Sequence, residues 1–298
     1  MPRSTTISVI VPTKDRLGYL KRGLPTYLAQ PEVAEVIVVI DGSTDGTVEF
    51  MQEYVTKEER VRVLDNGVNK GIPITKNRGI KAATSDYIFI AEDDLELTPG
   101  FFTTLLKHLG ASGGDIICGR NIFRFDYETD KEAIRRTNKL PGPMVNLKTI
   151  ELETSFPLQD DTVLPMIAAP MLGRAEIFKK VLFDERYKVN FWREETDFQI
   201  SAEEAGYKLV SCPHAICYNF MIKNDRGGVH AAIGFKRTRW MIINNWRFIA
   251  KHKRFIHDHF DIGNPYIFIA KFTCVKLSTQ FFNYVVHLKK QLFNQKSI

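Results

Sequence analysis

Several things are scarce in this sequence, and each scarcity excludes something. Only four cysteines occur, Cys118, Cys212, Cys217 and Cys274, and no two form a C-x-x-C pair. A disulfide scaffold is therefore not expected, and the thiols read as reduced, in a cytoplasmic compartment. The polar start "MPRSTTIS" has no signal-peptide pattern, which supports the same expectation. No apolar run approaches the roughly 18–20 residues that span a bilayer. There is no low-complexity tract and no internal repeat. With 13 Pro and 19 Gly in 298 residues, extensive disorder is not expected. The segment "VPTKDRLGYL" lacks the Gly-rich loop with a following Lys that a nucleotidyltransferase reading would require.

What is present is ordinary in bulk and uneven in detail. A chain of 298 residues, 44% hydrophobic and 26% charged, can bury a sizeable core as one large domain or two small ones. The net charge of +6 is split along the chain: residues 221–298 hold 14 Lys/Arg against 3 Asp/Glu, and the rest holds 27 against 32. A solvated helical face is the plain account of the basic end. No nucleic-acid-binding module accompanies it, so nucleic acid is not an expected partner.

Apolar β-branched runs alternate with helical patterns. "ISVIVP", "EVIVVID", "VRVLDN", "YIFIA" and "DIICG" read as strands, and "GIPITKNRGIKAAT" and "GFFTTLLKHL" as helices. Leu17, Leu20, Leu24 and Leu28 recur at helical spacing, with Pro25 predicting a break or an N-terminal turn. This alternation implies an α/β fold with a mostly parallel sheet flanked by helices. After Arg120 the periodicity weakens, and the segment reads as loops with short strands forming an acceptor-side wall. From Trp240 an aromatic, basic helical pattern begins. The expected division is a catalytic domain over 1–235, with halves near 1–120 and 121–235, and a helical extension over 236–298.

In parallel sheets, ligands bind outside the carboxyl ends of the strands. Three polar clusters fall there: "PTKDR" with Pro12, Thr13 and Asp15, "DGSTDGT" from Asp41, and "EDD" from Glu92. They should share one crevice. In the last, alternation puts Glu92 and Asp94 on one side and Asp93 on the other. Adjacent carboxylates at the tip of an apolar strand suit a hard divalent cation, Mn²⁺ or Mg²⁺. Asp41 can accept from a base or a ribose, and the amides after it favour anions. A further acidic group, Glu194, Glu195 and Asp197, offers a general base; helical geometry puts Glu194 and Asp197 on one face and turns Glu195 away.

Taken together, "ISVIVPTKDR", "VIVVIDGSTDGT", "KNRGIKAATSDYIFIAEDD" and "REETDFQISAEEAGYKL" resemble, in order, a family 2 inverting glycosyltransferase of the GT-A (Rossmann-like) fold. The likeness covers about residues 7–210. It implies a nucleoside diphosphate sugar as donor, UDP by default, with nucleotide contacts at Thr13, Asp41 and Asp93 and with Lys76 where an Arg is common. It implies a DxD-type metal motif, with Glu92 in the first Asp's place and Asp94 as the principal ligand. It gives the base to Glu195, where Asp is usual, with Asp197 as second candidate. Asn219 stands where many relatives carry a metal-completing His, and His214 and His230 lie nearby.

The acceptor would be a glycan or a lipid-linked sugar in cell-surface polysaccharide synthesis. Trp192 can stack on the acceptor, Arg193 can reach a phosphate, and Glu194 borders them. Arg226–Gly228 resembles a donor-closing loop, and Lys236–Trp240 resembles part of a processive synthase element. A non-catalytic nucleotide-sugar binder is the main alternative, and the two intact acidic groups argue against it. The C-terminal mixture of aromatics with Lys271, Lys276, Lys289 and Lys290 fits either peripheral contact with the inner face of a membrane or packing on the catalytic domain or another subunit. His257–His259 lacks a further ligand at metal spacing, and Gln159–Asp161 reads as a polar loop.

Overall fold

Apolar β-branched stretches at the N-terminus supply one side of a sheet that has nine strands among the described residues. In the computed structural model, which describes residues 5–189, 191–220 and 234–294 (side chains to 282), β1 (Ile7–Thr13), β2 (Val33–Ile40), β3 (Val61–Asp65) and β4 (Tyr87–Ile90) run parallel. Every residue of β1 is buried, as expected of a strand covered on both faces. The crossovers are α1 (Leu17–Leu28), α2 (Thr47–Tyr54) and α3 (Ile72–Ala82).

α1 departs from expectation by continuing through Pro25. Proline removes the bond to Lys21 O, but only one turn remains beyond it, and Ala29 N–H bonds Pro25 O. Leu20, Leu24 and Tyr27 are fully buried on the sheet, so packing holds the helix where local propensity would end it.

The rest of the sheet was only partly visible in sequence. It continues with β5 (Leu95–Leu97), α4 (Phe101–Ser112), β6 (Ile116–Arg124), α5 (Asp130–Thr137), the pair β7 (Val145–Asn146) and β8 (Glu151–Leu152), and β9 (Thr162–Val163). Next come β10 (Met171–Arg174), α6 (Ala175–Lys180), α7 (Glu194–Glu204) and β11 (Leu209–Phe220). The order is β3-β2-β1-β4-β10-β6-β11-β5, with β9 also on β11. β10 inserts antiparallel between β4 and β6. The supposed loop region also contains α5, closed at its start by a capping box between Thr129 and Glu132. That T-x-x-E signal is local and readable.

The C-terminal helices α8 (Gly234–Lys251), α9 (Lys253–His259) and α10 (Pro265–Asn294) are not detached. Phe248, Ile249, Phe255, Ile256 and Ile269 share a core with Val145, Ile150, Tyr187 and Ile200. Among the described residues no helix is long and apolar enough to cross a membrane.

Candidate active site

The parallel strands β1, β2 and β4 end side by side, and hydrogen bonds knit their polar ends into one cleft. Thr13 Oγ1 donates to Asp93 Oδ2 at 2.8 Å, joining β1 to the segment after β4. The Asp15 carboxylate accepts from Thr44 N at 2.6 Å, and Ser43 Oγ accepts from Asp15 N at 3.0 Å, joining the loops after β1 and β2. Asp15 adopts φ +51°, and it also pairs with Lys14. Burial would raise its pKa, but the Lys14 and Thr44 contacts prevail and hold it below the usual value. Pro12 lies in β1 opposite Val39 of β2 and carries the chain into this loop.

Asp41, at the tip of β2, is buried and organises the next loop. Oδ1 accepts from Asn66 Nδ2 at 2.9 Å and Lys70 N at 2.8 Å, and Oδ2 accepts from Gly71 N at 2.9 Å. Gly42 nearby has φ +69°, and a Cβ there would lie 2.6 Å from Asn69 N. Only glycine permits that approach.

The acidic triplet lies just beyond β4, with Asp93 and Asp94 in a turn. Asn219 Nδ2 lies 3.3 Å from Glu92 Oε2 and 3.1 Å from Asp94 Oδ1, whereas Asp93 turns to Thr13. Arg16, not singled out by its sequence, bridges the other two acids. Its Nη2 is 2.5 Å from Asp94 Oδ2, and its Nε is 3.1 Å from Asp93 Oδ1 but off the hydrogen-bonding direction. Burial disfavours the Arg16 cation, yet the two carboxylates outweigh it and raise its pKa. Burial pushes the Glu92 carboxyl well up, with Asp94 and Glu195 adding to the rise. A carboxyl in that condition favours a cation, and the oxygens of Glu92 and Asp94 suit a hard divalent ion, with Asn219 able to add its amide oxygen once the amide, which presents Nδ2 to the acids, turns over.

Across the cleft, the start of α7 supplies the second acidic group. Arg193 is its N-cap at φ +74°, after Val189 at +71° and Phe191 at +50°. This unusual turn lets both Glu194 and Glu195 reach Lys76 of α3, each Oε1 lying 2.7 Å from Nζ. Lys76 is buried; desolvation alone would lower its pKa, and the two carboxylates raise it instead. Glu194 is buried and pushed up to about 8, burial and Glu195 outweighing Lys76. Glu195 keeps a third of its side chain exposed to the cleft.

The profile of glycosyl transferase family 2 matches residues 8–182. The chain belongs to that family. The chain is 32% identical over 111 residues to a putative colanic acid biosynthesis glycosyl transferase, WcaA, of Escherichia coli K12, covering 36% of this chain and 39% of that one. It spans between 41% and 62% of the length of three other curated relatives. Its fold is similar to Staphylococcus aureus TarS (residues 1–349), solved with UDP-GlcNAc, at TM-score 0.56 and 17% identity over 82% of this chain and 67% of that one. It is also similar to GalNAc-T7, solved with UDP, GalNAc and Mn²⁺, at TM-score 0.65 and 14% identity over 84% and 48%. The sheet and its flanking helices are therefore those of a GT-A glycosyltransferase.

Several residues proposed from sequence sit elsewhere. Asp197 is buried away from Lys76. Its Oδ1 accepts from Tyr187 Oη at 3.0 Å and meets His252 Nε2 at 2.9 Å, and its Oδ2 accepts from Lys251 Nζ at 2.7 Å. Helical rotation separates it from Glu195, as the sequence implied, but the unwound N-cap brings Glu194 to the side of Glu195.

Arg193 is buried, donating to Ile150 O and to Asn245 Oδ1 at 3.1 Å, and desolvation lowers it to about 10. It is a packing residue between the region before β8 and α8, not a phosphate contact. Trp192 is half-buried, and Arg193 lies over its ring at 5.5 Å. His214 stacks on His108 at 4.7 Å, apart from the acidic triplet. His230 and Arg226–Gly228 lie outside the described residues.

Proposed function

We propose that the protein is a metal-dependent inverting glycosyltransferase. It moves a sugar from a nucleoside diphosphate sugar, UDP by default, to a hydroxyl of a glycan or lipid-linked acceptor in cell-surface polysaccharide synthesis. The observation that carries this reading is the convergence of two acidic groups about a hundred residues apart. Glu195 is near enough to Glu92 to raise its proton affinity, and Lys76 ties Glu195 to the floor of the same cleft.

In this reading the Thr13 and Asp41 edge receives the nucleoside, and Asp93 fixes the strand tip. Glu92 and Asp94, with the amide oxygen of Asn219, would hold Mn²⁺ or Mg²⁺, which would offset the diphosphate's charge. Arg16 is the resident cation of the pair Asp93 and Asp94. Glu195 takes the proton from the acceptor hydroxyl as its oxygen attacks the anomeric carbon. The bond from that carbon to the diphosphate oxygen breaks, and the nucleoside diphosphate leaves. A single displacement inverts the configuration. Glu194, with its raised pKa, supports Lys76 from within, and Asp197 anchors α7 to the C-terminal helices.

A surface contact accompanies this reading. α10 exposes Ile267, Val275, Phe281 and Phe282 beside Lys271, the composition of a helix that rests on an anionic bilayer at the inner face of the membrane. Co-flotation with anionic vesicles, reduced in Phe281→Ser/Phe282→Ser, is the expected result; equal recovery of both proteins in the unbound fraction removes the contact.

Thermal unfolding with UDP, GDP, dTDP and CDP, each with and without Mn²⁺, tests the main reading. A ligand at 100 times its dissociation constant stabilises by about 2.7 kcal/mol. One nucleotide raising the midpoint only with metal is the expected result. No shift with any of them overturns both this reading and the non-catalytic nucleotide-sugar binder.

A further inference from the structure

A second cluster of metal-binding groups lies at the other end of β11 from Asn219. His108 of α4, Asp161 before β9 and Cys212 of β11 bring one ligand atom each within 4.8 Å of one another. His108 Nδ1 is 2.6 Å from Asp161 Oδ2. Asp161 also hydrogen-bonds with the Cys212 thiol, so the carboxylate joins all three groups.

The strand is built to make this meeting. Cys212 pairs with Gly119 and Ile216 with Arg120, so Pro213, His214 and Ala215 bulge out of β11. The bulge needs a flat neighbour, because a Cβ on Gly119 would lie 2.6 Å from Ala215 O. It turns His214 over His108, where the two rings stack at 4.7 Å.

We propose that His108, Asp161 and Cys212 form a binding site for a borderline-soft divalent ion of the Zn²⁺ type, distinct from the donor cleft. One imidazole, one carboxylate and one thiolate suit such an ion, whereas the all-oxygen set at Glu92 and Asp94 suits a hard one. Bonds of 2.0–2.3 Å in a tetrahedron require ligand atoms about 3.3–3.8 Å apart, which side-chain rotation of about an ångström provides. Binding replaces the His108–Asp161 hydrogen bond and releases the Cys212 thiol proton to water. Solvent fills the fourth position, since His108 and Asp161 are only partly buried. The ion pins α4 and the segment before β9 onto β11.

Metal-free full-length protein is titrated with Co²⁺, and the thiolate-to-cobalt charge-transfer band is recorded. The band is expected to saturate at one ion per chain, to persist in Asp94→Ala, to vanish in Cys212→Ser, and to be bleached by Zn²⁺. His108→Gln, on a partly exposed helix position, should weaken Co²⁺ by more than the roughly 10–100-fold that changes outside the ligand shell cost. This variant does not disturb the buried strand, so it keeps the test valid if Cys212→Ser fails to fold. Absence of the band in the wild type overturns the site. So does a band that survives in Cys212→Ser, which would put cobalt on another thiol such as the exposed Cys274.

Discussion

Lys76 Nζ lies 2.7 Å from Glu195 Oε1, joining residues 119 positions apart in the sequence. The same ammonium holds Glu194, so one buried cation fixes the orientation of two carboxylates. A base positioned in this way does not have to be ordered when the acceptor arrives.

Replacing Lys76 by Met should therefore reduce transfer by about 10²–10⁴-fold, the usual contribution of a positioned base. A transfer assay on the variant checks this; wild-type turnover would remove Lys76 from the mechanism.

Asp94→Ala and Glu195→Gln should separate binding from chemistry. The first is expected to lose metal-dependent nucleotide binding. The second should bind nucleotide as the wild type does and lose transfer. Calorimetric titration with the nucleotide, alongside a transfer assay, distinguishes them, and wild-type turnover by Glu195→Gln would refute the base assignment.

Asp197→Ala should act on stability first. Removing one partner from a buried charged network costs up to about 3–5 kcal/mol; here Tyr187 Oη loses its acceptor, while Lys251 and His252 keep only Asp184 and Glu204. Denaturant unfolding measures the loss, and transfer measured well below the lowered midpoint should persist. Abolished transfer with an unchanged midpoint would make Asp197 the base instead.

Glu203 gives a pH-dependent test away from the cleft. Burial raises it from 4.5 to about 7 in the folded protein. The folded state thus holds a proton that the unfolded state has released, and this contribution to stability is lost as pH rises from about 4.5 through 7. Glu203→Gln should raise the melting temperature more at pH 8 than at pH 5. Scanning calorimetry at the two values decides it; an equal shift at both would contradict the buried-carboxyl account.

Much of the fold was legible because its strands are short, apolar and β-branched, and because their polar tips coincide with strand ends. Strand alternation suggested a side for each acid of the triplet, but β4 ends at Ile90 and a turn carries Asp93 and Asp94. The antiparallel β10 was not legible, since "MLGR" is four residues without distinctive alternation and its partners are distant in sequence. The capping box of α5 was available and overlooked. Arg16 was not predicted because a lone arginine after a strand carries no signal until the acids it bridges are folded against it.

What the sequence determined by itself is the class of the protein: an α/β domain of glycosyl transferase family 2, with acids at the tips of its parallel strands. Periodicity and local chemistry suffice for that, because they act over a few residues. Which acid faces which cation was decided only by the tertiary structure. Glu195 reaches Lys76, Asp197 turns to Lys251 and His252, and Arg193 disappears into a core, although all three carriers lie within five residues of one another. A helix start with positive φ, and helices returning from the C-terminal end of the chain, assign each its partner. Neither is written in any local pattern, since each depends on contacts that exist only once distant segments have packed.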